Sequence, residues 1–191
     1  MRIYFRKIWR SIALSFPILY IFLSKRHILY VVGGIFLFFC ILDILRLHIK
    51  EWNNIFLKVF SCILREKEKK SLSSTTIFLG VIFVSFALFP KPISILVISI
   101  CVIGDIFSSI IGTKYGKIKI LANRTLEGTI SFFISAFLTA LVFNNFLHLK
   151  FNIIVLASVF SSLVELISPL ILIDDNISVP LLTGGVVWLL R

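Results

Sequence analysis

Long apolar stretches separated by short polar segments run through this chain. A helix needs about 20 mostly apolar residues to cross a hydrocarbon core about 30 Å thick. Seven stretches meet or approach this length, and they cover approximately residues 8–24, 28–47, 73–90, 92–111, 129–148, 152–172 and 177–190. The first and last are short, so each could be tilted or re-entrant. The pattern predicts an all-α, polytopic transmembrane helical bundle of about seven spans, with residues 1–191 forming a single integral membrane domain.

The segment between the second and third stretches has a different pattern. Over residues 50–64, apolar side chains that include Trp52, Phe56, Val59 and Ile63 recur at helical spacing among polar ones. A helix with one apolar and one polar face lies in the headgroup region of a membrane. We therefore expect an interfacial amphipathic helix here.

Composition supports the membrane assignment and excludes a soluble domain. Hydrophobic residues make up 59% of the 191 residues and charged residues 15%, whereas soluble domains have about 45–50% and about 25%. The formal net charge of +11 could suggest a nucleic-acid partner. The basic residues lie between the apolar stretches, however, so we interpret them as topology signals beside a lipid bilayer and expect no nucleic acid.

The distribution of charge also orients the predicted bundle. If the N-terminus is cytoplasmic and seven spans alternate in direction, fifteen of the 20 Lys and Arg residues lie in inside segments. Inside loops of membrane proteins carry this excess. All nine Asp and Glu residues fall in inside segments or within spans. We therefore expect a cytoplasmic N-terminus, with any chemistry at the cytoplasmic face, in a membrane that we take to be a bacterial inner membrane.

Asp105 lies within an otherwise uncharged stretch from Pro92 to Thr113. A carboxylate at the centre of a membrane span costs about 2.5–3.5 kcal/mol on insertion scales. A polar contact between helices could account for it. The residues that follow favour a functional role.

A glycine-containing segment with basic residues comes next in the chain. Gly112 and Gly116 form a GxxxG pattern, which can pack helices together. Because Lys114 lies between the glycines and the segment reaches the water interface, we favour a glycine turn whose backbone N–H groups approach a phosphate. Lys117 and Arg124 add countercharge. The segment is not a Walker A loop, since GxxxxGK[ST] is absent.

Charged residues at the ends of two spans also have structural explanations that involve no catalysis. Glu127 precedes the uncharged residues 128–149, where a carboxylate could equally well stabilise a helix dipole. Asp43 and Arg46 stand at i,i+3 on one helix face and predict an interfacial ion pair.

A further set of acidic residues accompanies the last two spans. Glu165 lies deep in an apolar stretch, about two and a half turns before an Asp-Asp-Asn triplet. The triplet comprises Asp174, Asp175 and Asn176. It could form a plain turn or a helix cap. An oxygen-rich cluster in a loop without Lys or Arg suits Mg²⁺, however, because this ion prefers carboxylates, water and substrate phosphates.

Carboxylates, glycines and basic residues thus converge on one side of the predicted membrane, as phosphoryl transfer requires. The order of the motifs resembles the dolichol kinase, phytol kinase and CTP-dependent diacylglycerol kinase family. The resemblance rests on GDIFSSIIGTKYGKIKI at 104–120, NRTLEGT at 123–129, VEL at 164–166 and DDNISVP at 174–180. DILR at 43–46, REKE at 65–68 and the Arg-Lys pair at 6–7 also look like that family.

The resemblance implies a polytopic enzyme that phosphorylates a membrane lipid alcohol, with CTP as the usual donor. Together with the residue patterns, it assigns three sets of candidate residues. The predicted catalytic residues are Asp105, Glu127 and Asp175. The predicted nucleotide- and phosphate-binding residues are Arg6, Lys7, Gly112, Lys114, Gly116, Lys117, Arg124 and Gly128. The predicted Mg²⁺ ligands are Asp105, Glu165, Asp174, Asp175 and Asn176.

The chain departs from the family pattern at two places. Family members often have a His shortly after the Arg-Lys pair, where this chain reads Trp9-Arg10-Ser11. They also usually have a Lys just before the LEG element, where Arg124 could take its place with the same charge but a different geometry. Both departures bear on the choice of nucleotide donor.

Two other functions fit part of the pattern. A phosphatidate cytidylyltransferase, which makes CDP-diacylglycerol from CTP and phosphatidate, resembles the kinases in its CTP-handling segment, but its longer C-terminal signature with HGG and DRxD is absent here. A non-catalytic or transport protein would use buried acids as relays and has less need to gather them near one face. The sequence leaves the acceptor lipid open among diacylglycerol, polyprenol, undecaprenol and phytol.

Overall fold

A computed structural model describes residues 10–49, 53, 71–121, 124–171 and 174–190 of the chain. These residues form seven α-helices and a two-stranded antiparallel hairpin, and a short 3-10 helix, Ile12–Leu14, precedes the first α-helix. The helices are α1 (Ser15–Phe22), α2 (Lys25–His48), α3 (Ser74–Leu88), α4 (Lys91–Tyr115), α5 (Leu126–Leu147), α6 (Phe151–Ile171) and α7 (Asp175–Leu189). The strands β1 (Lys119–Leu121) and β2 (Arg124–Thr125) lie between α4 and α5.

The predicted all-α class is confirmed, and each predicted apolar stretch corresponds to a helix. Among the described residues, α2, α4, α5 and α6 are long and apolar enough to cross a membrane. Ile12–Phe22 and Ser74–Leu88 are shorter apolar helices. The count of seven spans and the cytoplasmic N-terminus stay predictions. The predicted interfacial helix at 50–64, apart from Asn53, lies outside the described residues, as do Arg6 and Lys7.

Helix α4 forms the centre of the bundle. It packs against α1, α3, α5, α6 and α7, and almost every residue from Ile93 to Val102 is buried. In contrast, α2 buries few of its side chains, and most of its apolar residues are exposed. Because apolar side chains that face lipid need no protein partner, α2 is suited to the outside of the bundle. Asp105 of α4 is instead largely enclosed by protein, with a side chain that is 13% exposed.

Lysine side chains cap helices at one end of the bundle. The Nζ atom of Lys91 donates hydrogen bonds to the carbonyl oxygens of Ile21 and Leu23, at 2.9 and 3.0 Å. The Nζ atom of Lys25 donates to the carbonyl oxygen of Ala87 at 2.7 Å. A cation stabilises the negative end of the helix dipole and satisfies carbonyls that have no partner within the helix. These contacts bring the ends of α1 and α3 beside the beginnings of α2 and α4.

A buried ion pair fastens α2 to α3 at the other end. Asp43 and Arg46 contact each other at 3.0 Å, with side chains 2% and 1% exposed. Asp43 Oδ2 accepts hydrogen bonds from the backbone N–H of Ser73 and the hydroxyl of Thr76, at 2.8 and 2.7 Å. Arg46 donates to the carbonyl oxygen of Ser71 at 2.7 Å. The predicted pair forms, but it lies in the protein interior and holds the first turn of α3.

Candidate active site

Two arginine side chains draw three of the predicted acidic residues together. Arg10, just before the 3-10 helix, contacts Asp105 of α4, with 2.5 Å between Nη1 and Oδ2. Arg124 of β2 contacts Glu165 of α6 through Nη1 at 2.5 Å and Asp175 of α7 through Nη2 at 2.8 Å. Asp175 also acts electrostatically on Arg10, and Asp105 on Arg124. These five residues therefore form one group, which we call the carboxylate–arginine cluster.

The carboxylate–arginine cluster lies inside the helix bundle but close to one of its ends. Glu165 is about 9 Å along the helix axis from the end of α6, and Asp105 about 15 Å from the end of α4. The Glu165 side chain is 1% exposed, whereas Asp105 and Asp175 are 13% and 17% exposed. Buried charges require partners, and the arginines supply them. The partial exposure of Asp105 and Asp175 leaves the cluster open to the surface of the bundle.

Arg124 is held in its charged form. Burial alone would lower the pKa of Arg124, but the adjacent Glu165 and Asp175 carboxylates raise this pKa above its ordinary value. A planar guanidinium can serve two carboxylates at once through different nitrogens, which a lysine ammonium does not do with the same geometry. Arg124 therefore neutralises two acidic residues, and its predicted contact with phosphate stays a prediction.

The cluster also contains oxygen atoms without a hydrogen-bond donor. Ser108 donates to Glu165 Oε1 at 3.0 Å, while Glu165 Oε2 is buried with no hydrogen-bond partner among the described residues. Next to Asp175 in the chain, Oδ1 of Asn176 is likewise buried with no hydrogen-bond partner among the described residues. Such unpaired acceptors are costly in a protein interior. They are the oxygen type that Mg²⁺ prefers.

The oxygen atoms of the cluster could bind Mg²⁺ only together with water and substrate phosphates. In the part of the chain that the structure describes, no three His, Cys, Asp or Glu side chains form a group that could hold a metal ion. Mg²⁺ is usually bound through one or two carboxylates together with water and substrate phosphates, rather than by a cage of protein ligands. Asp105 and Asp175 could provide the one or two carboxylates of such a site, and Mg²⁺ binding stays a prediction.

Asp174 has the capping role that the sequence left open. Its Oδ1 atom accepts hydrogen bonds from the backbone N–H and the side-chain Nδ2 of Asn176, at 3.1 and 2.5 Å. An Asp at this position satisfies a free N–H group of the first helical turn. Asp174 thus begins α7 and directs the next residue, Asp175, towards Arg124. Its role as a metal ligand stays a prediction.

Glu127 contacts the backbone of the segment that follows α4. Its Oε1 atom accepts hydrogen bonds from the N–H groups of Lys117 and Ile118, at 3.0 and 3.3 Å. Thr125 caps the same helix by accepting from the N–H of Gly128 at 3.2 Å. Glu127 therefore links the first turn of α5 to the end of α4, and its catalytic role stays a prediction.

The three glycines allow α4 and α5 to approach closely. A Cβ atom on Gly128 would lie 3.1 Å from the backbone oxygen of Ser108, and one on Gly112 would lie 3.1 Å from Oγ1 of Thr125. One on Gly116 would lie 2.2 Å from the backbone oxygen of Gly112. The expected glycine turn is wrong for Gly112, because α4 continues to Tyr115 and the small residues face α5. Their contact with phosphate stays a prediction.

Lys114 and Lys117 are exposed at the end of α4. The ammonium group of Lys114 lies 5.1 Å from the centre of the Tyr115 ring. Cations at this position favour the negative end of the helix dipole. They also leave their remaining donors to solvent, where a phosphate group could reach them.

Arg10 and Ser108 were absent from the site predicted from sequence. Arg10 attracted notice only as a departure from an expected His, and Ser108 is an ordinary residue of an apolar span. The sequence does contain a pattern that indicates the pairing of Arg10 with Asp105. Arg10 borders the first apolar stretch as Asp105 interrupts a later one, and opposite charges in two spans stabilise each other when they meet.

Comparison with known proteins finds named lipid kinases among the proteins that are similar to this chain. No protein-family model and no solved structure matches it. It is 29% identical over 184 residues to an uncharacterized protein of Rickettsia prowazekii, covering 92% of this chain and 88% of that protein. It is 28% identical over 144 residues to the CTP-dependent diacylglycerol kinase 1 of Saccharomyces cerevisiae, covering 72% of this chain and 49% of the yeast protein.

Plant proteins give a similar result. The chain is 36% identical over 112 residues to the probable chloroplastic phytol kinase 2 of Glycine max, covering 52% of this chain and 38% of the plant protein. The chain thus spans about half or less of the length of these named kinases. It is similar to proteins named phytol kinase and CTP-dependent diacylglycerol kinase, and the resemblance predicted from the motifs is confirmed.

Proposed function

We propose that this protein is a lipid kinase that transfers the γ-phosphoryl group of CTP to the hydroxyl of a membrane lipid alcohol. The observation that carries the proposal is the carboxylate–arginine cluster, a group of charges held inside an apolar helix bundle near one end. Relatives named as diacylglycerol and phytol kinases support it. Diacylglycerol, polyprenols and phytol are candidate acceptors, and we assign the reaction to the cytoplasmic face.

Phosphoryl transfer requires alignment of the reactants and neutralisation of phosphate charge. We assign Mg²⁺ to Asp105 and Asp175, with Glu165 and Asn176 as further oxygen donors, and the bound ion would neutralise charge on the phosphates. Arg124 holds the Glu165 and Asp175 carboxylates in fixed positions. Arg10 does the same for Asp105.

The remaining groups bind the donor and handle the proton. Lys114 and Lys117, exposed at the aqueous end of α4, would contact the phosphates, and we assign Arg6 and Lys7 to the same task. The lipid oxygen forms a bond to the γ-phosphorus while the bond from that phosphorus to the β–γ bridging oxygen breaks, releasing CDP. The hydroxyl proton passes to a carboxylate, for which Asp105, Glu127 and Asp175 are the candidates, and then to water.

The deciding experiment uses purified protein in lipid with Mg²⁺ and CTP labelled separately on the γ- and α-phosphates. Lipid alcohols and phosphatidate serve as acceptors. We expect γ-label in the lipid and CDP in solution, with transfer stopped by EDTA. Appearance of α-label in lipid with release of pyrophosphate would instead identify a cytidylyltransferase and overturn the proposal.

Asp105→Asn tests the assignment of the site within this experiment. The variant keeps the size of the side chain but loses its charge, so transfer should fall to background while the protein still inserts and remains folded. Lys150→Gln, which removes a charge between α5 and α6 at the other end of the bundle, is the matched control and should retain activity. Full activity in Asp105→Asn would contradict the site.

A further inference from the structure

A groove of about 610 Å³ runs between α4 and α5. Its walls are apolar side chains, of which Phe107, Ile130, Ile134, Leu138 and Val142 are between 48% and 62% exposed. We call it the α4–α5 groove. The groove is concave and opens away from the protein core, so its contents come from the surrounding membrane.

Small polar residues of α5 line the α4–α5 groove, and two of them have hydroxyls bonded to the backbone of their own helix. Ser131, Ser135 and Thr139 follow one another at four-residue intervals on α5, which places them on one helix face. The hydroxyl of Ser135 donates to the carbonyl oxygen of Phe132 at 3.0 Å, and that of Thr139 to the carbonyl oxygen of Ser135 at 2.6 Å. The small side chains leave room along α5, and the bonded hydroxyls of Ser135 and Thr139 suit an apolar chain as the occupant.

The groove has the length of a lipid chain. From Glu127 to Phe143, the first and last lining residues of α5, the helix rises about 24 Å. A membrane hydrocarbon core is about 30 Å thick. An extended acyl or prenyl chain could therefore lie along most of the groove while remaining within the membrane.

A carboxylate marks one end of the groove and connects it to the candidate active site. Glu127 carries the one ionisable side chain among the described lining residues. It follows Arg124 by three residues, a separation of at most about 11 Å along the chain, and Arg124 holds Glu165 and Asp175. A carboxylate accepts a hydrogen bond from a hydroxyl and repels a phosphate. The polar end of the groove thus complements a lipid alcohol rather than an anionic lipid.

From these observations we propose that the α4–α5 groove binds the apolar chain of a lipid alcohol, with the hydroxyl at Glu127 beside the carboxylate–arginine cluster. The inference rests on the proposed function, since it assigns the acceptor of that reaction to a particular surface.

The test places the same large side chain either in the groove or on an exposed apolar surface outside it. Leu138→Trp places a large ring in the groove, and Leu37→Trp is its matched control, since Leu37 lies on α2 outside the groove and is 60% exposed against 55% for Leu138. In nanodiscs, Leu138→Trp should raise KM for the lipid alcohol about tenfold or more, with KM for CTP unchanged. Leu37→Trp should change neither constant.

Photolabelling separates this inference from the proposed function because it requires no turnover. A photoreactive diacylglycerol should label α4 and α5 in the wild type and in Leu37→Trp, and much less in Leu138→Trp, while phosphatidate and phosphatidylcholine analogues should label weakly. Glu127→Gln should reduce the preference for the alcohol over phosphatidate. Labelling of the groove without turnover would contradict the proposed kinase activity and would support lipid binding in the groove. Turnover with equal KM values in the two Trp variants, or equal labelling by all three lipids, would overturn the groove.

Discussion

At the scale of single residues, the pairing of Arg10 with Asp105 determines whether a charge can remain inside α4. The two side chains are 17% and 13% exposed, and the guanidinium also lies 5.4 Å from the centre of the Phe78 ring. Asp105 thus keeps a nearby cation, and Arg10 gains both an anion and an aromatic surface. Arg10 joins the N-terminal part of the described chain to the centre of the bundle.

We expect Arg10→Gln to lower both activity and stability. Removing one partner of a buried pair leaves the other uncompensated, at a cost on the order of 3 kcal/mol. Arg10→Lys, which keeps the charge, should recover part of the loss. Thermal unfolding in detergent and CTP-dependent phosphorylation measure the two effects. Wild-type behaviour of Arg10→Gln in both assays would contradict the importance of the contact.

Charge in an apolar stretch was the most useful signal at this scale. It identified Asp105 and Glu165, because a carboxylate inside a membrane bundle needs a compensating partner, whereas Asp175 was identified from the Asp-Asp-Asn triplet. It did not identify the partners. Arg124 was expected to serve phosphate and instead contacts two carboxylates, since the fold of β2 against α6 and α7 decides which group the guanidinium reaches. Such contacts between distant segments are set by packing, which one sequence does not display.

At the scale of elements, the close approach of α4 and α5 depends on residues without a side chain. We expect Gly116→Ala to destabilise the protein by about 1–3 kcal/mol, because its Cβ would lie 2.6 Å from Cγ2 of Thr125, which caps α5, and 2.2 Å from the backbone oxygen of Gly112. Gly34→Ala is the matched control, since nothing lies within 4 Å of a Cβ there, and in a helix interior it should be neutral or stabilise by up to about 1 kcal/mol. Equal melting temperatures for the two variants would contradict this account.

The pair of Asp43 and Arg46 gives a second prediction about elements. Asp43→Leu should destabilise by about 3–5 kcal/mol, because it leaves Arg46 buried without its carboxylate and removes two hydrogen bonds to the first turn of α3. The double variant Asp43→Leu, Arg46→Leu should recover part of the loss, since it removes both charges together. Thermal unfolding of the two single variants and the double variant measures the coupling. Strictly additive losses would show that the ion pair itself contributes little.

The elements themselves were predicted more closely than their contacts. The predicted stretch 28–47 became Lys25–His48, and 152–172 became Phe151–Ile171, because long apolar runs in a membrane satisfy their backbone groups only as helices. The hairpin of β1 and β2 was not predicted, since strands of three and two residues carry no detectable periodicity. The extension of α4 to Tyr115 was also missed, because the glycines were interpreted as a turn.

At the scale of the whole molecule, the two ends of the bundle differ in chemistry. One end carries lysine caps on helix termini, through Lys25 and Lys91. The other end carries the hairpin, the exposed Lys114 and Lys117, and the entrance to the carboxylate–arginine cluster. A nucleotide donor from the cytosol can use only the end that faces the cytoplasm. The orientation of the bundle is therefore part of the proposed function.

The positive-inside distribution predicts that orientation and can be tested directly. We expect a cysteine introduced at Lys117 to react with a membrane-impermeant maleimide only after the membrane of intact cells is permeabilised, and a cysteine introduced at Arg26 to react without permeabilisation. Both positions are exposed. The background should be a chain in which Cys40, Cys62 and Cys101 are replaced by Ala. The opposite labelling pattern would place the carboxylate–arginine cluster on the face without cytosolic nucleotide, and it would contradict the orientation and the CTP donor together.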